Sequence, residues 1–167
     1  RLETPETESY SSLVSWHFPA RGRHPQLALH WYDGGLRPHR PMELDPSVAL
    51  PTSGLLFIGD KGKLLSGYYG GSHRLLPEAN FKDFQPPAKT LRRSTGHYTE
   101  WLGACKGGKP ANCHFPLAAR MNEITQLGVL AARRARVLQW DPAAMRITND
   151  KEADSLINTA YRAGWGG

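Results

Sequence analysis

Two apolar segments with regular alternation, each followed by turn-forming residues, most strongly constrain the fold of this chain. Large apolar side chains alternate with smaller or more polar ones over residues 13–18 and 27–32, a pattern typical of strands with one buried face. Two further apolar runs, 55–59 and 63–69, meet at Asp60-Lys61-Gly62, where glycine supplies the positive φ of a hairpin turn. The sequence therefore predicts an antiparallel sheet.

The C-terminal part of the chain predicts helices instead. Apolar residues recur at intervals of three and four in segments 95–106, 116–135 and 150–161, so that each segment has one apolar face. Strands followed by helices indicate an α+β fold, with an open, mostly antiparallel sheet and the helices packed on one of its faces. We expect the other face to be unusually apolar and to serve for association.

Local signals suggest how these helices begin and pack. Ser94 or Thr95 is expected to cap the first helix, and Asn149 with Glu152 resembles a capping box for the third. Gly128, within the second helix, indicates close approach of another backbone, which we expect to be the sheet. A chain of 167 residues supports one core, so a single domain is expected over 12–167, after an irregular lead-in at 1–11.

The charge balance does not by itself indicate a nucleic-acid partner. The net charge is +6, but the basic residues are scattered along the chain. Their densest group, Arg133 to Arg136, closes a predicted helix, where cations complement the helix dipole. The sequence also lacks a run of about 20 apolar residues of the kind that spans a membrane. We therefore expect neither a nucleic-acid surface nor a membrane-spanning segment.

The two cysteines, Cys105 and Cys113, leave three interpretations open. Eight positions apart, around a glycine-rich stretch, they have a spacing that permits a small disulfide loop, although sequence does not fix the geometry. They also fit two idle or buried thiols. A metal pair is the third interpretation, but no second pair at zinc-ligand spacing accompanies them.

Motifs for cofactor binding and nucleophilic catalysis are absent from the sequence. A dinucleotide site needs a glycine-rich turn between a strand and a helix, so that backbone N–H groups meet the pyrophosphate. Of the two candidates, 67–71 is not followed by a predicted helix and 103–108 ends one. There is no Gly-x-Ser-x-Gly motif, and the seven histidines lie in different segments. We expect His17 and His30, on the strands, to be exposed or hydrogen-bonded.

Eight short strings in order resemble the C-terminal domain of Gfo/Idh/MocA oxidoreductases, in the branch common in planctomycetes and related environmental bacteria. The resemblance runs from about Ser12 to Trp165. The strings are Trp16-His17-Phe18-Pro19-Ala20-Arg21-Gly22, Trp31-Tyr32-Asp33-Gly34-Gly35, the hairpin from Gly54 to Leu65, Gly96-His97-Tyr98 with Glu100-Trp101, Cys105-Lys106-Gly107-Gly108-Lys109-Pro110, Leu127-Gly128-Val129-Leu130-Ala131, Leu138-Gln139-Trp140-Asp141-Pro142 and the segment from Tyr161 to Trp165.

The resemblance implies an oxidoreductase whose NAD or NADP is bound by a separate Rossmann domain. The family's catalytic lysine belongs to a Glu-Lys-Pro motif of that domain, and here Lys109-Pro110 follows Gly108. The family's Asp-x-x-x-His element is also missing, since Asp33 and His39 are six positions apart. No cofactor-binding or catalytic residue therefore transfers to this chain. The Rossmann domain becomes an expected partner.

Two functions follow as expectations. In the first, the chain is the substrate-side and oligomerisation domain of an NAD(P)-dependent sugar-type oxidoreductase, inactive alone and associating with itself or another protein through the open sheet face. In the second, it is a stand-alone, non-catalytic binding or structural subunit derived from such a domain. The resemblance implies a bacterial protein and leaves its compartment open between cytoplasm and cell envelope.

A sugar-like ligand would use an aromatic platform beside carboxylate and guanidinium groups, which combine apolar contact with directional hydrogen bonds. The alternative is structural: Trp31 alternates as a core residue would, Asp33 stabilises the following glycine turn, and the C-terminal segment pins the last helix. The residues expected to line the pocket are Trp31, Tyr32, Asp33, His97, Arg162 and Trp165.

Overall fold

The computed structural model describes residues 10–158 and 161–165. Within them lie seven strands, three α-helices and one 3-10 helix, Glu78–Phe81. In chain order the elements are β1 (Leu13–Phe18), β2 (Leu27–Tyr32), β3 (Gly54–Gly59), β4 (Gly62–Gly67), β5 (Arg74–Leu76), α1 (His97–Cys105), α2 (Phe115–Arg134), β6 (Trp140–Asp141), β7 (Arg146–Ile147) and α3 (Lys151–Ser155).

The chain divides into two compact units. The first comprises Arg1–Gly34 and Ser94–Gly167, and the second comprises Gly35–Arg93. The expected lead-in at 1–11 falls mostly outside the described residues, which begin at Tyr10. The single domain expected over 12–167 stays a prediction.

The second unit is built on a three-stranded antiparallel sheet in the order β3-β4-β5. Leu56 pairs with Leu65, and Gly59 pairs with Gly62 across the predicted turn. One face of this sheet holds a small core of Leu44, Leu65 and Leu76, each at most 5% exposed. Removing these side chains from water is the main favourable contribution to folding of this unit.

In the first unit, helix α2 lies against the hairpin β1–β2. The strands pair in a register that sets Trp16 opposite Leu29. The Trp16 indole donates to the Ile124 carbonyl oxygen at 3.0 Å, and its ring contacts the backbone of Gly128. The close approach predicted at Gly128 is therefore present, but the neighbour is an aromatic side chain rather than another backbone.

The C-terminal end of α2 is joined to the start of α3 by ion pairs. The Arg134 Nε donates to Asp150 Oδ2 at 3.0 Å, and Arg134 Nη1 lies 2.6 Å from Glu152 Oε1. The Asp150 carboxylate also accepts from the N–H groups of Glu152 and Ala153, which makes Asp150 the N-cap of α3. The cap predicted at Asn149 is wrong.

The side chain of Asn149 has a different role from the one predicted. Its Oδ1 accepts from the Gln139 N–H at 2.8 Å, and its Nδ2 donates to the Val137 carbonyl at 2.9 Å. Both bonds fix the segment that leads into β6. The amide is therefore already occupied by backbone groups, and the neighbouring carboxylate of Asp150 serves the helix.

The α+β class is confirmed, but the strands form three small antiparallel sheets of two, three and two strands within the described residues. The single open sheet predicted from the alternation is therefore not what the structure contains. Alternation identifies strands without specifying which of them pair. The irregular segment 33–53, with four prolines, separates β2 from β3, and the two strands join different sheets.

The predicted helices 95–106 and 116–135 are confirmed with bounds that differ by one or two residues, whereas the third helix is much shorter than predicted. Gly96 is the N-cap residue of α1, and no side chain caps the helix there. The cap predicted at Ser94 or Thr95 is therefore wrong. Instead, Ser94 Oγ accepts from the Gly96 N–H at 3.0 Å. The predicted helix 150–161 ends at Ser155, and residues 159–160 lie outside the described part.

None of the helices in the described part is long and apolar enough to cross a membrane.

Candidate functional site

Asp33, at the end of β2, is held by the opposite strand end. Its Oδ1 accepts from the Ser12 N–H, and its Oδ2 accepts from the Ser12 hydroxyl at 2.8 Å. The Trp31 indole N–H also donates to Oδ2, at 3.3 Å. The carboxylate thus closes the open end of the hairpin and orients the Trp31 ring. These side-chain contacts lie within the hairpin, and they involve Ser12 and Trp31 rather than the glycine turn named in the structural alternative for Asp33.

Gly34 follows Asp33 in a conformation that favours glycine. Its φ is +59°, in the left-handed region, and a Cβ at this position would overlap the backbone of Tyr10 and Ser11. The chain therefore turns sharply immediately after Asp33, and any larger residue would push the neighbouring segment away. This turn limits how far the Asp33 carboxylate can move from Ser12.

Trp31 belongs to an apolar stripe on β2, formed by Leu27, Leu29 and Trp31. These side chains are 62%, 41% and 53% exposed. The register places them on the same face as Trp16, which is the face that α2 covers on the neighbouring strand. The exposed apolar surface of this hairpin therefore lies beside the helix.

The opposite face of the hairpin does not have the apolar character that was expected. The register places Ser15, His17 and His30 on this face together with Leu13, Ala28 and Tyr32, so the face is mixed in character. The Ser15 hydroxyl lies 2.8 Å from His30 Nδ1. The expectation of an unusually apolar face opposite the helices is thus wrong for this hairpin. The strands alternate as predicted, but α2 packs mainly on β1, and the described residues leave the apolar side chains of β2 largely exposed.

Arg162 and Trp165 form the second aromatic group among the predicted residues. The guanidinium carbon of Arg162 lies 4.5 Å from the centre of the Trp165 ring, a cation–π contact. The backbone N–H of Trp165 donates to the backbone carbonyl of Arg162 at 2.9 Å. This bond closes the turn that brings the two side chains together. Trp165 is 69% exposed, so one aromatic surface remains open to a ligand.

The structure brings together two pairs of the six predicted residues: Trp31 with Asp33, and Arg162 with Trp165. Tyr32 is half-buried opposite Leu13, and His97 is exposed at the first residue of α1. In the part of the chain that the structure describes, no hydrogen bond or ring contact joins the two pairs to each other, and none joins His97 to either pair. All six residues nevertheless belong to the same compact unit.

The carboxylates whose pKa is shifted are not among the six predicted residues. The Ala153 N–H, together with the guanidinium of Arg134, holds the pKa of Asp150 below its usual value. Lys63 lowers the pKa of Glu43 in the same way, through hydrogen bonds of 2.6 Å from its ammonium group. Each shift comes from a partner that stabilises the fold. These charges therefore mark structural ion pairs rather than catalytic groups.

Cys105 and Cys113 are both free and exposed. Of the three interpretations that the sequence left open, the structure contains two separate thiols, exposed rather than buried. Among the described residues, no group of three or more histidine, cysteine, aspartate or glutamate side chains is arranged to hold a metal ion.

Neither glycine-rich segment fits a dinucleotide. Gly67 ends β4, and its N–H donates to the Gly71 carbonyl at 2.8 Å within a turn that leads to β5, not to a helix. Gly103 lies inside α1, and Gly108 donates back to its carbonyl after the helix has ended. A pyrophosphate needs the N–H groups at the start of a helix. The residues of these two segments do not supply them.

Comparison with known protein families gives one match. The family model described as "Oxidoreductase family, C-terminal alpha/beta domain", the C-terminal domain of Gfo/Idh/MocA oxidoreductases, matches residues 59–167, which are 109 of the 167 residues. No curated protein matches the chain. The match covers β4 to β7 and the helices α1, α2 and α3, and it confirms the resemblance from residue 59 onward; residues 12–58 lie outside the match. The chain therefore belongs to the Gfo/Idh/MocA oxidoreductase family, through the C-terminal domain of that family.

Proposed function

We propose that this chain is the substrate-side and oligomerisation domain of an NAD(P)-dependent sugar-type oxidoreductase. The cofactor is bound by a Rossmann domain, and the present chain contributes side chains to the substrate. One observation carries the substrate role: the six residues selected for their chemistry come from distant parts of the sequence, yet all belong to one compact unit. Family membership supports the oxidoreductase assignment.

The chemistry of the exposed aromatic groups suits a polyhydroxy ligand. Trp31 and Trp165 each offer an exposed ring, and each ring has a polar group fixed beside it, Asp33 and Arg162 respectively. A sugar ring stacks its C–H face on an aromatic surface while its hydroxyl groups bond to the neighbouring charged group. Arg162 is the stronger candidate for direct contact, because Asp33 is already engaged by Ser12.

The oligomerisation role is supported by the apolar stripe on β2. Leu27, Leu29 and Trp31 alternate along a strand that pairs with β1 on one side only within the described residues. A row of exposed apolar side chains on an edge strand is a surface that proteins usually cover by association. Association through this stripe would bury the face that α2 leaves open.

Kinetics of the complete enzyme would test the substrate role. The reading frame upstream of this domain first shows whether a Rossmann domain is encoded with it; its absence would favour the stand-alone binding or structural subunit. With the complete enzyme, Arg162→Ala is expected to raise the KM for a sugar substrate at least tenfold and to leave the KM for NAD(P)H unchanged. Arg120→Ala, at an exposed position of α2, is the matched control. Equal kinetics for both variants would contradict the assignment.

A further inference from the structure

Two histidines lie next to each other on the face of the β1–β2 hairpin opposite α2. Ser15 pairs with His30, and His17 pairs with Ala28, so His17 and His30 are diagonal neighbours on one face. Their ring centres are 6.4 Å apart, with the ring planes at 82°. Both side chains are exposed. Neither residue is among those assigned above to the substrate.

The Ser15 hydroxyl occupies Nδ1 of His30, so Nε2 is the nitrogen that can face a ligand. It lies 2.8 Å from His30 Nδ1, a distance that fits either direction of the hydrogen bond. When Nδ1 carries the proton and donates to Ser15, the lone pair of Nε2 is free to bind a ligand. Histidines that bind metals almost always donate their other ring N–H in this way, which orients the ring and fixes the tautomer.

We propose that His17 and His30 bind a divalent transition-metal ion of the Zn²⁺, Ni²⁺ and Cu²⁺ type. Imidazole is a favoured ligand for these ions. Zinc–nitrogen distances of about 2.1 Å at a tetrahedral angle bring two imidazole centres to roughly 5 Å from each other. The present separation of 6.4 Å must therefore shorten by about 1 Å. Rotation of two exposed side chains supplies that change without moving the strands.

The environment of the pair allows water to complete the coordination. His17 borders an open cavity of about 320 Å³, lined also by Phe18, Gln26, Leu27 and Ala28. The described residues place no third histidine, cysteine or carboxylate in a cluster with the pair. The ion is thus held by two protein nitrogens, with water at the remaining positions. It is bound more weakly than in a structural site with four protein ligands.

Calorimetric titration of Zn²⁺ into the whole chain tests the site. The chain carries Cys105→Ser and Cys113→Ser, because two exposed thiols would otherwise compete for the ion. One saturable site per chain is expected. His17→Gln and His30→Gln should each weaken binding at least tenfold, whereas His73→Gln, an exposed histidine of the other unit, should leave it unchanged. Ser15→Ala should weaken binding several-fold, because the Ser15 hydroxyl orients the His30 ring without contacting the ion.

Three results would overturn the proposal: absence of saturable binding, unchanged binding in both histidine variants, or equal weakening by His73→Gln. Melting temperatures of the zinc-free variants show whether each variant is folded. If His30→Gln fails to fold, His17→Gln decides the question, because the structure gives the His17 side chain no hydrogen bond to lose within the described residues. The ¹⁵N signals of the two rings provide a second readout, since Zn²⁺ should shift these signals and leave those of His73 in place.

Discussion

The indole of Trp16 lies against Gly128, on a helix more than a hundred residues further along the chain. The Trp16 N–H donates to the carbonyl of Ile124, which in a regular helix also accepts from the N–H of Gly128. The Trp16 ring therefore packs against the backbone of Gly128, and its indole N–H binds the second lone pair of the Ile124 carbonyl oxygen, one turn earlier in the helix. This contact fastens β1 to α2, and it requires glycine at position 128.

Replacement of Gly128 by alanine is expected to destabilise the chain, although alanine is the better helix former. Helix propensity alone would favour alanine by about 0.5–1 kcal/mol. A Cβ at this position overlaps the Trp16 ring, and overpacking of this kind costs about 1–3 kcal/mol. Urea unfolding should therefore show a net loss of up to about 2.5 kcal/mol in the free energy of unfolding.

Gly103→Ala is the matched control for this substitution. Gly103 also lies inside a helix, and a Cβ there meets nothing within 4 Å. Alanine at 103 should raise the free energy of unfolding by about 0.5–1 kcal/mol. If both variants change stability in the same direction, the contact between Trp16 and Gly128 does not have the role described.

Leu76→Ala is expected to remove the centre of the core in the second unit. Leu76 is fully buried against Leu44 and Leu65. Truncation of a buried leucine leaves a cavity and costs about 2–5 kcal/mol of unfolding free energy. Leu91→Ala, at a position that is 85% exposed, should change it by less than about 0.5 kcal/mol. Denaturant unfolding of both variants measures the difference, and a similar small effect for the two would contradict the assigned core.

The Asp150 carboxylate predicts a loss of stability in acid. Its pKa is lowered in the folded chain by the Ala153 N–H and by Arg134. A group with a lowered folded pKa contributes stability that is fully present above its unfolded pKa, about 3.9, and is lost as pH falls through the folded pKa. This contribution is therefore complete at neutral pH and decreases from about pH 5 downward.

Asp150→Asn isolates the charge, because asparagine is also a good N-cap. At pH 7 the variant should melt at a lower temperature than the natural chain, since the ion pairs that Asp150 makes with Arg134 and Arg136 are lost. The gap in melting temperature should narrow as the pH is lowered to 3. Asp60→Asn, in an exposed turn, should show no gap at either pH. A gap for Asp150→Asn that stays constant would contradict this explanation.

The sequence predicted the secondary structure of this chain well because the relevant signals are local. Strict alternation identified residues 13–18 and 27–32 as strands, and both are strands with those bounds. The turn at Asp60-Lys61-Gly62 joins β3 and β4 as expected. Periodicity and turn residues act over a few positions, so they are readable without knowledge of the fold.

Features that depend on distant partners were less predictable. The cap of α3 is Asp150 rather than Asn149, because Arg134 and the helix N–H groups share the Asp150 carboxylate. The sequence named Asp33 as a candidate, but not its partner Ser12, which becomes visible only once the register of the hairpin is known. The Arg162–Trp165 contact is local, and their spacing of three positions was available in the sequence.

Asp33 and Arg162 should respond differently to replacement by alanine. Asp33→Ala removes the acceptor of three hydrogen bonds that close the hairpin, and we expect it to lower the free energy of unfolding by about 1–3 kcal/mol. Arg162→Ala removes an exposed side chain whose contact is the Trp165 ring, and it should change stability by less than about 0.5 kcal/mol. Denaturant unfolding of the isolated chain measures both.

Turnover of the complete enzyme then distinguishes a substrate-binding role from a structural role for Arg162 and for Asp33. Under the proposed function, Arg162→Ala lowers turnover with a sugar substrate while its melting temperature stays near that of the natural enzyme. Asp33→Ala is expected to lower the melting temperature. If its turnover falls only to the extent that the enzyme is unfolded, Asp33 lies outside the substrate pocket. If Asp33→Ala retained its melting temperature and lost turnover, the carboxylate would be a substrate group, and its bonds to Ser12 would be secondary.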